Sequence, residues 1–188
     1  MGIFGFLRTK ENIHPSKKHR AFSNIAIETI GSLVEKHGFH LHAEKNERFF
    51  TTIIWKKEKQ YLKISATDYP MEPSQYDIIL GEGNCDDFFE SEWDSISICD
   101  IKRFLASDTN PIEYDFPKKR ELQTSLENAK IELLKFGNDF LHGNMDVFYR
   151  VRFLTNGATK PEKIIVKDAT GNVDFEMLPY TAVKKPKK

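Results

Sequence analysis

Between positions 39 and 80 the chain holds four short apolar stretches whose links are too brief for anything but antiparallel pairing. Residues 39–44 alternate, and residues 49–56 (FFTTIIWK) are rich in β-branched and aromatic side chains. Residues 61–67 (YLKISAT) alternate again, and residues 75–80 close the series. A parallel neighbour needs a crossover of about a dozen residues, whereas Lys57-Glu58-Lys59-Gln60 is a short polar turn. The pattern predicts a four-stranded antiparallel meander. In its third strand Leu62, Ile64 and Ala66 share the face opposite Tyr61, Lys63 and Ser65, so one face can be buried and the other partly wet.

A sheet buried on one face needs a cover, and two helical periodicities supply it. Residues 19–37 place Phe22, Ala26, Thr29, Ile30, Leu33 and His37 on one stripe, with Gly38 positioned as a left-handed cap. Residues 118–141 place Leu122, Leu126, Ala129, Leu133, Phe136 and Phe140 on another. Gly137 lies inside that second helix at a cost of about 1 kcal/mol against Ala, which reads as a site of close packing. Shorter helices are predicted over 97–106 and 145–154. Residues 164–166 and 173–177, around Thr170-Gly171-Asn172, read as a hairpin. The expected fold class is α+β: an N-terminal helix, the four-stranded meander, a long C-terminal amphipathic helix packed on the sheet, and a small terminal hairpin. Residues 1–156 are expected to form a single domain, and 157–188 an appendage of hairpin and basic tail.

Charge bears on function by what it excludes. Lys plus Arg and Asp plus Glu are 28 each, so no global field favours nucleic acid. Basic residues gather at the two ends, and a nucleic-acid-associated role through those ends is the weaker alternative. The two cysteines, Cys85 and Cys99, make no disulfide framework and suit free thiols in a reducing cytosol, so a cytoplasmic location is expected. The apolar start MGIFGFL lacks the marks of a secretory signal, and no run reaches the length of a membrane span.

The local exception to neutrality is EGNCDDFFESEWDSISICD, residues 82–100, with seven carboxylates and no Lys or Arg. Glu82, Asp86, Asp87, Glu90, Glu92 and Asp94 surround Phe88, Phe89 and Trp93, which makes these nine residues the candidate partner-binding set. Carboxylates interleaved with aromatic anchors suit docking on a basic protein surface. The plainer alternative is a solvated acidic loop whose aromatics pin it to the core.

Other constellations are weaker. His40 and His42 share a strand face with Glu44, and a metal site can be imagined there, but no third ligand stands at motif spacing. Cys85 paired with a histidine could act as a nucleophile, yet Asp86 and Asp87 would raise its pKa. Gly81-Glu82-Gly83 resembles a phosphate turn but lacks the Lys and is crowded by carboxylates. No cofactor motif is present. A metal-dependent hydrolase using these carboxylates and histidines is the enzymatic alternative; the expectation is a non-catalytic protein.

The run LENAKIELLKFGNDFLHGNMDVFYRVR, following an antiparallel block, resembles the closing helix of small bacterial α+β proteins, several of which are immunity proteins of polymorphic toxin systems. The likeness covers residues 20–155 in order of elements, and its sharpest echo is Phe140-Leu141-His142-Gly143-Asn144. The resemblance implies a stoichiometric inhibitor that works by occlusion, with a cognate toxin as its partner and no catalytic residues.

Overall fold

Ser16 opens the first helix, its hydroxyl accepting a hydrogen bond from the His19 amide at 3.1 Å. α1 (Lys17–Ala26) passes through a π segment (Ile27–Gly31) into α2 (Ser32–Lys36), and Gly38 ends it at φ 84°. The single helix predicted over 19–37 is thus present, with one wide turn inserted. The computed structural model describes residues 16–86, 88–106, 114–157, 163–167 and 173–177, with backbone alone for 88–90 and the last two stretches.

β1 (His40–Asn46), β2 (Phe50–Lys57), β3 (Gln60–Thr67) and β4 (Gln75–Glu82) form the predicted meander, every neighbour antiparallel. The sheet then goes beyond the prediction. β5 (Ser95–Ser97) pairs with β4 and arises inside the acidic segment, and β6 (Tyr114–Asp115) pairs with the other end of β4. Neither short strand carries enough alternation to be visible as a sequence pattern.

The register aligns three cross-strand rows on one face: Thr51–Ala66–Tyr76, Ile53–Ile64–Ile78 and Trp55–Leu62–Leu80. All nine side chains are buried. Phe22, Ala26, Ile30 and Val34 of the first helix pack into the same core. So do Leu122, Leu126, Ala129 and Leu133 of α5 (Leu122–Phe136). Each large apolar side chain removed from water there contributes about 1.5–3 kcal/mol.

The helix predicted over 118–141 is broken. A 3-10 turn (Lys119–Glu121) leads into α5, Gly137 interrupts it, and α6 (Asn138–Leu141) resumes. A β-carbon on Gly137 would lie 2.8 Å from Leu133 Cδ1 and 3.1 Å from Ile98 Cδ1, so the glycine does mark close packing. α3 (Phe88–Trp93) and α4 (Ile98–Ala106) follow β4 and β5, and α7 (Asp146–Asn156) follows α6. β7 (Lys163–Lys167) and β8 (Val173–Met177) pair as the predicted hairpin. The architecture is α+β, as expected. Among the described residues no helix is long and apolar enough to cross a membrane.

Among the described residues the opposite face of the sheet is only partly buried. Ile54, Tyr61 and Cys85 are buried together there, with Ala43 against them; Cys85 belongs to the acidic segment, and Tyr61 reaches its Ser91 carbonyl.

Candidate functional site

The acidic segment is tied to the body at several points. The Glu82 amide donates to the Asp94 carbonyl at 3.0 Å, which closes the segment into a loop, and the Gly83 amide donates to Lys59 O at 2.7 Å. Gly83 adopts φ 92°, a conformation that favours glycine. From the sheet, Tyr61 donates its hydroxyl to the Ser91 carbonyl at 2.9 Å. Burial pushes the Tyr61 phenol well above its ordinary pKa, so it remains a donor at physiological pH.

α7 provides the clamp. Tyr149, Arg152, Phe153 and Asn156 stand at helical spacing on one face of it. Arg152 lies 3.4 Å from Asp94 and 3.6 Å from Glu82, and its guanidinium covers the Trp93 ring at 4.9 Å. Tyr149 donates to Glu82 at 3.0 Å. The Asn156 amide nitrogen points at three carbonyls, those of Glu92, Trp93 and Ser95, at 3.3, 2.8 and 2.8 Å.

The nine sequence-derived residues therefore divide. Glu82 and Asp94 are half-buried ion-pair partners of Arg152, and Trp93 is half-buried beneath the same guanidinium. Glu92 and Asp86 are exposed. Asp87 and the side chains of Phe88, Phe89 and Glu90 lie outside the described residues, though the backbone of 88–90 is helical. Sequence reasoning missed the clamp because Arg152 and Asn156 lie some sixty residues downstream of their partners.

A second cluster forms beside the segment. The β1–β2 register slips between Leu41 and Ala43, a β-bulge centred on His42. The bulge resets the alternation, so Glu44 does not join His42 on one face. Instead Glu44 accepts from Ser23 of α1 at 2.6 Å, while His42 Nε2 lies 3.6 Å from Asp86 Oδ1. His42, Cys85 and Asp86 thereby converge, each donor atom within 4.8 Å of the others. Lys56 Nζ sits 3.5 Å from Asp86 Oδ2.

The charges in this cluster act on one another. Burial raises the Cys85 thiol, and Lys56 only partly opposes it. Asp86 feels slight desolvation, but the Lys56 and His42 charges outweigh it and hold the carboxyl below its usual value. A protonated, buried thiol is a poor nucleophile, so this geometry does not assemble an activated Cys–His pair.

A third site has no precursor in the sequence pattern. Glu132 of α5 accepts from Tyr114 at 2.7 Å and from Lys102 at 2.8 Å, at the wall of a groove of about 690 Å³. Tyr76 stacks on Tyr114 at 4.9 Å. Burial and the Glu132 carboxylate together push the Tyr114 phenol far above its normal range, so it serves as a fixed donor. No family model, curated protein or solved structure matches this chain.

Proposed function

We propose that this chain is a non-catalytic protein-binding module of the immunity type, which covers the basic surface of a partner such as a toxin or nuclease with residues 82–94. The observation that carries this reading is the α7 clamp. Arg152 and Asn156 hold the frame of the acidic segment through Glu82, Asp94 and three carbonyls, while Glu92 and Asp86 remain exposed. A segment already held in place spends less ordering entropy on association than a free loop. Exposed carboxylates speed the encounter with a basic partner.

Apolar anchors are available beside that charge. Phe153, on the clamp face of α7, is 58% exposed, and its neighbour Leu154 is 66% exposed. Large apolar side chains at the centre of an interface supply lasting affinity. Cys85 and Cys99 are both buried and share no disulfide, which suits a reducing cytosol as the site of action.

The test is co-purification from the native organism's lysate at moderate salt, comparing wild type with the triple variant Asp86→Lys, Asp87→Lys, Glu90→Lys. Wild type is expected to retain one basic protein in near-equal amount, and the variant to lose it while keeping its circular dichroism spectrum. Equal retention by the folded variant, or no stoichiometric partner of wild type, would sink the reading.

A further inference from the structure

We propose that His42, Cys85 and Asp86 form a binding site for a divalent cation of the zinc class. The inference does not rest on the partner-binding reading; the two share Asp86, while His42 and Cys85 belong to this cluster alone.

The donors come from two elements brought together by local irregularities. His42 stands at the β1 bulge. Cys85 and Asp86 lie in the turn after β4, where the Asp86 amide donates to Asn84 Oδ1 at 3.1 Å. The donor set is one imidazole nitrogen, one sulfur and one carboxylate oxygen. Calcium and magnesium take oxygen ligands. A mixed nitrogen, sulfur and oxygen set suits zinc and cobalt.

The spacing agrees with that chemistry. Zinc bond lengths of about 2.0–2.3 Å at tetrahedral angles separate nitrogen from oxygen by about 3.4 Å, and sulfur from oxygen by about 3.6 Å. The corresponding distances here are 3.6 Å from His42 Nε2 to Asp86 Oδ1 and 3.7 Å from Cys85 Sγ to the same oxygen. Two of the three donor separations thus match edges of a coordination tetrahedron, and all three lie within 4.8 Å. Three protein ligands would leave the fourth position for water or an added group.

The cluster already attracts positive charge. Lys56 reaches both Cys85 and Asp86 from the neighbouring strand, as an intramolecular cation at the same donors. A metal ion would displace its ammonium, and binding to Cys85 as thiolate would release the thiol proton to solvent. Solvent is accessible to receive the ammonium, because the Lys56 side chain is 28% exposed. The side chains of His42 and Asp86 are 40% and 61% exposed and Cys85 is buried behind them, so an ion would enter from the His42 and Asp86 side.

The experiment is a cobalt titration of reduced, metal-free, full-length protein. It is expected to give a thiolate-to-cobalt charge-transfer band that saturates at one equivalent and bleaches when zinc is added. Cys85→Ser should abolish the band. His42→Ala and Asp86→Asn should each weaken cobalt binding by about tenfold or more, with circular dichroism showing that all three remain folded. Absence of the band in wild type would overturn the proposal. So would a band that survives Cys85→Ser, or equal cobalt affinity in wild type and His42→Ala.

Discussion

The ring of Tyr61 lies directly across its cross-strand partner Gly81, so closely that a β-carbon there would overlap Cζ and Oη of the phenol. The glycine that looks like part of a phosphate turn in the sequence is the space Tyr61 occupies on its way to Ser91. Gly81→Ala is therefore expected to destabilise the fold by about 1–3 kcal/mol through overpacking. Tyr61→Phe keeps the ring and loses only the hydrogen bond, for about 1 kcal/mol. Urea unfolding of the two variants checks the order, and a neutral Gly81→Ala would contradict the close approach.

Arg152 joins Glu82, Asp94 and the Trp93 ring. Removing it leaves two half-buried carboxylates without their shared cation. Arg152→Met is expected to lose about 1–3 kcal/mol and to speed amide exchange across 82–95. The chain has two tryptophans, and Trp55 is fully buried in the core, so any change in emission reports on Trp93. Unchanged emission and exchange would mean that the clamp does not hold the segment.

Gly137→Ala opposes two effects. Alanine is the better helix former by about 1 kcal/mol. Its methyl group would meet Leu133 Cδ1 at 2.8 Å, the Leu133 carbonyl at 3.0 Å and Ile98 Cδ1 at 3.1 Å. Overpacking of this kind costs about 1–3 kcal/mol, so the net expectation is destabilisation with α5 and α6 still separate. A stabilised variant in thermal or urea unfolding would show that the helices relax into one.

Asp68 accepts from the buried His19 and from Lys18, each at 2.8 Å. Burial alone would raise its carboxyl, but hydrogen bonds from Lys18 and His19 hold it below the ordinary value. A carboxyl lowered in the fold contributes stability that is fully present above its unfolded pKa, about 3.9. That stability is lost as pH falls through the native value. Asp68→Asn should cost about 1–3 kcal/mol at neutral pH, and the gap to wild type should close as pH falls below about 4. Urea midpoints across that range test it; a gap independent of pH would remove the ionised carboxylate from the explanation.

What could be read from the sequence was local and periodic. The meander followed from alternation in FFTTIIWK and YLKISAT, and both helical stripes followed from spacings of three and four. The π segment Ile27–Gly31 left the stripe of the first helix intact, so the pattern gave no sign of it. The bulge at His42 was invisible because no residue type demands it, yet it sends Glu44 to Ser23 and His42 to Asp86. The acidic segment was conspicuous by composition. Its attachment depends on Arg152, Tyr149 and Asn156, and no short-range signal links residues so far apart. Tyr114 and Glu132 likewise meet only because α5 passes the end of β4.

Among the described residues β1 forms the rim of the sheet, paired only with β2 in the strand order. A long, flat rim offers a row of backbone donors and acceptors on which strands from other molecules can grow. The bulge between Leu41 and Ala43 bends that row, and Lys45 adds an exposed charge to it. The irregularity that gathers His42 toward Asp86 thus also discourages runaway strand addition, and favours discrete molecules over fibrils at high concentration.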